Sequence, residues 1–485
     1  MLKGKAVAAG LWSSLDVGMR FGIQFIVSIV LARLLSPTNF GIYALTAVFI
    51  ALSTVLVDGG FSTALIQRKD VSAEEQTAVF WYNLLIALIL AMVIVAIAPF
   101  VARTFGHPVL QSLLYVSAAI VPVSALAAVP AAMLERELRF DLVAKTGLAA
   151  STVSGVVGVV AAVNGAGIWT FAYQAMTNAL VNTCLIWIIG SWRPLPRPHL
   201  RAAGRLAGFG SLVALSGLLE VAYTQGSSLI IGKLHGTRDL GLYNRAQNLQ
   251  NLPASVLSAI VTRVALPIFS TKADDKAALR RGVRLAQGIV MLINLPLMAM
   301  LAISPDLVID VLYGPKWLPA APILAILAVG GVLFPLHAVN LQLILSQGRS
   351  DLYLKVEVAK KCIGVAFLAV GSLFGVTGLA IGQTVFVYLA FFLNAGVAGR
   401  MIDYRPFAQL RDLTGTIALT IAMTALIFVL RLFLPFGSFA NLVVLTSVGG
   451  GFFVGAALLL NVGATYELLA MTPLGRLRRS AEPIA

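Results

Sequence analysis

About 20 consecutive apolar residues are enough to cross the hydrocarbon core of a bilayer as a helix, and this chain carries such stretches along nearly its whole length. One of them, LLIALILAMVIVAIAPFVA at residues 84–102, contains no charge. Read in this window, the sequence predicts about fourteen spans, centred near residues 20, 50, 88, 120, 154, 178, 219, 250, 293, 332, 363, 388, 421 and 450. Backbone in lipid must satisfy its own hydrogen bonds, so spans this long are helices. The expected fold class is all-α integral membrane, with connections too short for an extramembrane domain. Of the 485 residues, 59% are hydrophobic and only 11% are charged, which excludes a soluble fold. A net charge of +15 would suggest nucleic acid in a soluble chain. Here Lys and Arg gather in short loops, which suits anionic membrane lipid and not nucleic acid.

An even number of spans puts both termini on one side. Of the 35 Lys and Arg residues, 27 fall on that side, six on the other, and Arg20 and Arg245 inside spans. The positive-inside rule then places both termini in the cytoplasm. The basic start, MLKGK, followed by AVAAG, superficially resembles a signal peptide. Asp16 and Arg20 would fall in its apolar core, so the segment reads as an uncleaved first span.

LARLLSPTNFGIYAL at 31–45 is echoed by IGKLHGTRDLGLYNR at 231–245. At this offset of 200, Arg33 meets Lys233, Leu34 meets Leu234, Gly41 meets Gly241 and Tyr43 meets Tyr243. Weaker echoes link 98–106 to 304–314 and 121–126 to 334–339. Spans 1–6 thus repeat as 7–12. Six is even, so the halves share one orientation and relate by a pseudo-two-fold along the membrane normal. The expected domains are an N-terminal six-helix bundle (1–190), a cytoplasmic linker (191–205), a C-terminal six-helix bundle (206–400), and two additional helices with a basic tail (401–485). This is transporter architecture, with a site expected between the bundles near mid-membrane.

Ionisable residues inside spans are costly and usually line a pathway. Asp16 and Arg20 lie one turn apart on the first span and can pair. The offset matches Arg20 with Glu220. One reading makes Arg20 a cationic substrate site balanced by Asp16 and Glu220, either of which could couple transport to an ion. The other makes them a pair that only fixes packing. The eighth span, NRAQNLQN at 244–251, sets Asn244, Gln247 or Asn248, and Asn251 at helical spacing beside Arg245. The sixth has Gln174, Asn178 and Asn182 in an i, i+4, i+8 line. Amides both donate and accept, which suits sugar hydroxyls; interhelical bonding is the alternative. His337 is a candidate proton carrier or a packing residue. Asn83 and Asn294 read as interhelical bonds, Asp58 as interfacial, and Cys184 and Cys362 as small core residues. No Walker lysine loop, HExxH motif, paired His/Cys cluster or nucleophile elbow occurs. No catalytic residue, metal or cofactor is therefore expected.

LARLLSPTNFGIYAL, DGGFSTALIQRKDVSAEEQTAVFWYNLL (58–85), PAAMLERELRF (130–140) and GIWTFAYQ (167–174) resemble the Wzx-type polysaccharide exporters. These are oligosaccharide-lipid flippases of the multidrug/oligosaccharidyl-lipid/polysaccharide exporter superfamily, and the likeness is to their colanic-acid-exporter-like branch. The resemblance covers spans 1–12. It implies fourteen helices in the bacterial inner membrane and passage of undecaprenyl-diphosphate-linked oligosaccharide repeat units to the periplasmic leaflet. It also implies a cationic cavity for the diphosphate or acidic sugars. Polysaccharide polymerase and export machinery are the further partners to expect. The alternatives are a drug/cation antiporter of the same fold, against which the basic cavity residues argue, and a membrane polymerase or glycosyltransferase, for which the loops are too short.

Overall fold

The computed structural model describes residues 22–68, 70–195, 204–272, 274–460, 462, 464 and 465. Among them the chain is helical without a strand, and it divides into two compact units, Met1–Gly241 and Leu242–Ala485. The first unit holds α1 (Gly22–Leu34), α2 (Pro37–Asp58), α3 (Phe61–Gln67), α4 (Ala73–Phe105), α5 (Val109–Arg136), α6 (Phe140–Val163), α7 (Trp169–Ile189), α8 (Gly204–Leu234) and the first turn of α9 (Thr237–Ser270). The second holds the rest of α9, then α10 (Lys276–Ile303), α11 (Pro305–Tyr313), a 3-10 turn (Pro315–Ala320), α12 (Ala321–Gly331), α13 (Phe334–Ser346), α14 (Ser350–Ser372), α15 (Gly375–Met401), α16 (Pro406–Asp412), α17 (Thr414–Phe433) and α18 (Ser438–Leu459).

Nine helical segments among the described residues are long and apolar enough to cross a membrane. The chain is a multi-pass membrane protein. Helices α7, α8, α9 and α14 stand where spans are expected near 178, 219, 250 and 363, but their sequences are richer in polar residues and they are not among those nine. The span near 20 lies partly outside the described residues, as do residues 196–203 of the expected linker.

Helix starts follow local chemistry. Ser36 caps α2 ahead of Pro37, its Oγ accepting from the Asn39 amide at 3.4 Å. Ser72 and Glu75 form a capping box on α4: Ser72 Oγ accepts from the Glu75 amide at 3.1 Å, and Glu75 Oε2 accepts from the Ser72 amide at 2.9 Å. Both devices satisfy amides that a helix start leaves open. Near the start of α4, Phe61, Leu65, Phe80, Val129 and Met133 form a buried cluster ringed by Trp81, Tyr82, Trp187 and Trp192. Trp192 also donates its indole N–H to Gln76 at 2.7 Å, so the expected linker begins by packing back onto α4.

One local contact joins residues that the offset of 200 pairs. α2 and the first turn of α9 cross at Gly41 and Gly241, both within the first unit. A Cβ on Gly41 would stand 1.7 Å from the Thr237 carbonyl oxygen, and one on Gly241 would stand 1.9 Å from the Pro37 carbonyl oxygen. Thr237 is the counterpart of Pro37 at the same offset of 200. The contact is reciprocal, each partner using the equivalent residue on the other, as a two-fold axis requires. Beside it Lys233 Nζ donates to the Thr104 carbonyl at 2.7 Å, and Thr237 Oγ1 bonds His107 Nε2 at 2.9 Å.

In the second unit α15 packs against α12, α13 and α14, with Leu336, Val339, Leu343, Phe391, Ala395 and Ala398 buried together with side chains of α10. The two additional helices, α17 and α18, pack on α10 through Leu292, Met423, Ile427, Leu445 and Phe453. Those three helices line an open apolar cavity of about 410 Å³, with Thr465 at its edge. Arg431 ties α17 to the start of α11, pairing with Asp306 and donating to the Ile303 carbonyl at 2.7 Å.

Two expectations are corrected. Cys184 and Cys362 are free and exposed, not core residues. A lipid-facing surface is as apolar as a core, so an apolar run does not distinguish them. Lys360, counted among the loop cations, lies ten residues into α14, about 15 Å along the helix. It is buried and paired with Glu357.

Alanine for glycine inside a helix ordinarily stabilises by about 1 kcal/mol. At the crossing the sign reverses: Gly41→Ala or Gly241→Ala should lower stability by roughly 1–3 kcal/mol through backbone overlap. Gly396→Ala and Gly450→Ala, where a Cβ meets nothing within 4 Å, should not. Thermal unfolding of the four variants in detergent measures the difference.

Candidate functional site

α9 is polar on two faces. Its packed face is buried in the second unit. Tyr243, fully buried, donates its hydroxyl to Gln383 and receives a bond from Gln247 at 3.4 Å. Gln250, 5% exposed, lies against Gly331 of α12. The opposite face is open. Asn244 is half-buried, and Asn248, Asn251 and Ser255 are exposed. Their spacing of four, three and four residues makes one continuous row about 16 Å long at 1.5 Å per residue. The structure thus brings together three of the predicted amides and adds Ser255, which the spacing from Asn251 would have revealed. It also resolves the choice between Gln247 and Asn248: Asn248 is the exposed one.

α8 presents a comparable row in the first unit. Glu220 is exposed, flanked one turn either side by exposed Ser216 and Thr224. Thr224 Oγ1 donates back to the Glu220 backbone carbonyl at 2.9 Å. Ser216 and Thr224 were missed because hydroxyls in a span are usually absorbed by their own helix.

Other candidates are engaged inside their own unit. Asn178 Nδ2 donates to Ser154 Oγ at 3.3 Å, and Gln174 lies over Gly158, so both bear on α6. His337 Nδ1 bonds Asn394 Nδ2 at 3.0 Å, joining α13 to α15 between the rings of Phe334 and Phe391. Arg245 points toward α11. Burial raises the Tyr313 phenol above its ordinary pKa, and the Arg245 charge works against that rise. Asn294 bonds the Gly331 and Val332 carbonyls at 3.0 and 2.9 Å, the interhelical role expected for it. Asp58 accepts from the Ser62 amide at 3.3 Å, at the start of α3. Asp16 and Arg20 lie outside the described residues.

A polar row exposed within a span is costly against hydrocarbon, so it is expected to line water. Polar helix faces of this kind, in an otherwise apolar bundle, are what a transport pathway through a membrane requires. Comparison with solved structures agrees on the fold. The lipid II flippase MurJ, in an inward closed conformation, matches with a TM-score of 0.77 at 13% identity, over 93% of this chain and 99% of that one. An inward-facing multidrug resistance MATE family transporter of the MOP superfamily matches at 0.59 and 18% identity, over 79% and 95%.

The family follows from sequence. Residues 30–322 match the model of the polysaccharide biosynthesis proteins, and the chain belongs to that family. It is 25% identical over 388 residues to the lipopolysaccharide biosynthesis protein WzxC of Escherichia coli (strain K12), covering 79% of this chain and 78% of that protein. It is 26% identical over 325 residues to the succinoglycan biosynthesis transport protein ExoT of Rhizobium meliloti (strain 1021), covering 67% and 66%. Family and fold together are those of membrane transport proteins of polysaccharide biosynthesis, not of enzymes.

In a background lacking Cys184 and Cys362, Asn248→Cys, Asn251→Cys and Ser255→Cys should react with a small water-soluble thiol reagent, whereas Gln250→Cys should not. Silence at both 248 and 251 would place this face against lipid or protein.

Proposed function

We propose that this chain is a secondary active flippase. Its substrate is an undecaprenyl-diphosphate-linked oligosaccharide repeat unit, moved from the cytoplasmic to the periplasmic leaflet of the bacterial inner membrane by alternating access. The product feeds exopolysaccharide, capsule or O-antigen synthesis, with polymerase and export machinery as downstream partners. The observation that carries the reading is the exposed row Asn244, Asn248, Asn251 and Ser255 in a chain of the polysaccharide biosynthesis family. Neutral amides and hydroxyls bind sugar hydroxyls in both hydrogen-bonding senses, and they do not hold an organic cation. The repeat is read as two six-helix bundles, 1–190 and 206–400, joined by the linker 191–205 and followed by two helices in 401–485, fourteen spans with both termini cytoplasmic.

Charge handling is assigned to Arg20, with Asp16 one turn away to make it tolerable in the empty state. A diphosphate offers the guanidinium a stronger, bidentate partner. The carboxylate it leaves, Asp16 or Glu220, then gains proton affinity, which couples substrate binding to ion uptake. Arg245 supplements the positive field. Gln174, Asn178 and His337 act through the packing of their helices.

Deletion of the gene from its native host should abolish the surface polymer and accumulate lipid-linked repeat units on the cytoplasmic side. Normal polymer in the deletion strain defeats the reading. Asn248→Leu with Asn251→Leu should lower export about tenfold at normal membrane abundance, an order of magnitude that corresponds to losing one or two net hydrogen bonds to substrate. Arg20→Ala should abolish export and Arg20→Lys restore it in part. Full export by Arg20→Ala with Asp16→Ala would reduce that pair to packing. Reporter fusions near 197 and 478 should read cytoplasmic, and near 316 periplasmic.

A further inference from the structure

The connection between α15 and α17 is more elaborately held than a turn needs to be. Gln409 of α16 is fully buried. Its Nε2 donates to the Tyr404 carbonyl at 3.1 Å and to Asn340 Oδ1 at 3.3 Å; its Oε1 accepts from Gln287 Nε2 at 2.8 Å and from Asn340 Nδ2 at 3.1 Å. Tyr404, 1% exposed, donates its hydroxyl to Asp412 Oδ2 at 2.8 Å, and Arg284 Nε meets the same carboxylate at 3.1 Å. Burial and the Asp412 carboxylate hold the Tyr404 phenol well above its ordinary pKa, so it stays a donor. α16 is therefore pinned to α10 and α13, and its outer face is presented in a fixed place.

That outer face has two layers. Phe407 is 75% exposed, its ring 5.5 Å from Phe392. Phe392 lies on the exposed side of α15, one of the apolar spans. Phe407 thus continues a lipid-facing surface past the end of the span. Around it stand the exposed arginines Arg280, Arg400, Arg405 and Arg411, with the Arg280 guanidinium 5.4 Å from the centre of the Tyr404 ring. Of the nearby carboxylates, Asp412 is already held by Tyr404 and Arg284, and Asp275 caps the start of α10 by accepting from the Ala278 amide at 2.9 Å.

An occupant that complements this corner is apolar at the level of the two phenylalanines and anionic at the level of the arginines. Inorganic anions have no apolar part, and neutral lipids have no net charge for the arginines. We propose that the α16 corner is a docking site for an anionic phospholipid, its acyl chains along Phe392 and Phe407 and its phosphate among Arg280, Arg405 and Arg411. Guanidinium is the side chain best matched to phosphate, since its fork can bind two oxygens at once. Bound there, the lipid bears through Gln409 and Tyr404 on α10 and α13.

The test uses the purified full-length protein in detergent, titrated with phosphatidylglycerol or phosphatidylcholine of the same acyl chains, with bound lipid counted by native mass spectrometry. The wild type should retain phosphatidylglycerol in preference. Arg405→Gln with Arg411→Gln should weaken that binding roughly 30-fold, about fivefold for each basic residue near an anionic headgroup. Arg139→Gln with Arg349→Gln removes the same charge elsewhere and should leave it unchanged. Arg405→Lys with Arg411→Lys, which keeps the charge but not the fork, should lose part of it and serves if the glutamine pair fails to fold. Equal retention of both lipids by the wild type, equal loss in the two glutamine pairs, or no loss in the lysine pair would overturn the proposal. So would displacement of phosphatidylglycerol by millimolar inorganic phosphate, which would mark a soluble-anion site.

Discussion

Hydrocarbon offers no hydrogen bonds, and that single property sorts many of the described polar side chains; Asn83, fully buried in α4 with neither amide atom bonded, is an exception to it and to the interhelical bond expected there. A polar group inside a span must find a protein partner or reach water, because leaving it in lipid costs several kcal/mol. Asn294 takes two carbonyls, His337 takes Asn394, and Asn178 takes Ser154. Asn248, Asn251 and Glu220 remain exposed. By this rule the exposed group is expected where the bundle meets water, and the bonded group is how the helices stay registered. Function and packing thus draw on the same residue types, separated only by which face of a helix each occupies.

The glycine crossing obeys a related rule. Helices in a membrane gain little from burying apolar side chains against one another, since lipid tails are equally apolar. Close backbone approach supplies dispersion contacts instead. Gly41 and Gly241 allow that approach, and their placement at equivalent positions makes it symmetric. Any side chain at either position would part α2 from the first turn of α9.

Much of this architecture was legible in the sequence. Span length and apolarity set the helices, and the offset of 200 predicted the equivalence of Gly41 and Gly241 that the crossing then displays. What escaped is the direction in which side chains point. Cys184 and Cys362 looked internal because a lipid-facing surface and a core have the same composition. Gln174 and Asn178 formed as regular a line as Asn244, Asn248 and Asn251, yet one line meets α6 and the other is open. Periodicity finds a face; only the neighbouring helix decides what that face sees. Lys360 was misplaced for a different reason. Counting charges assigns cations to loops, and a lysine buried beside Glu357 is neutralised within its own helix, which the count cannot register.

α9 shows how these constraints combine. A helix polar on both sides would be unstable in lipid, and as an isolated amphipath it would lie on the surface instead of crossing. Here Tyr243, Gln247 and Gln250 anchor one side through bonds and contacts in the second unit. That anchorage fixes the rotation of the helix about its axis. With the rotation fixed, Asn248, Asn251 and Ser255 stand on the opposite, exposed side. The packed face therefore supplies the precision of the open one. Loss of the Tyr243 hydroxyl would disturb the amide row without touching any residue in it, because the row's aim is set from behind.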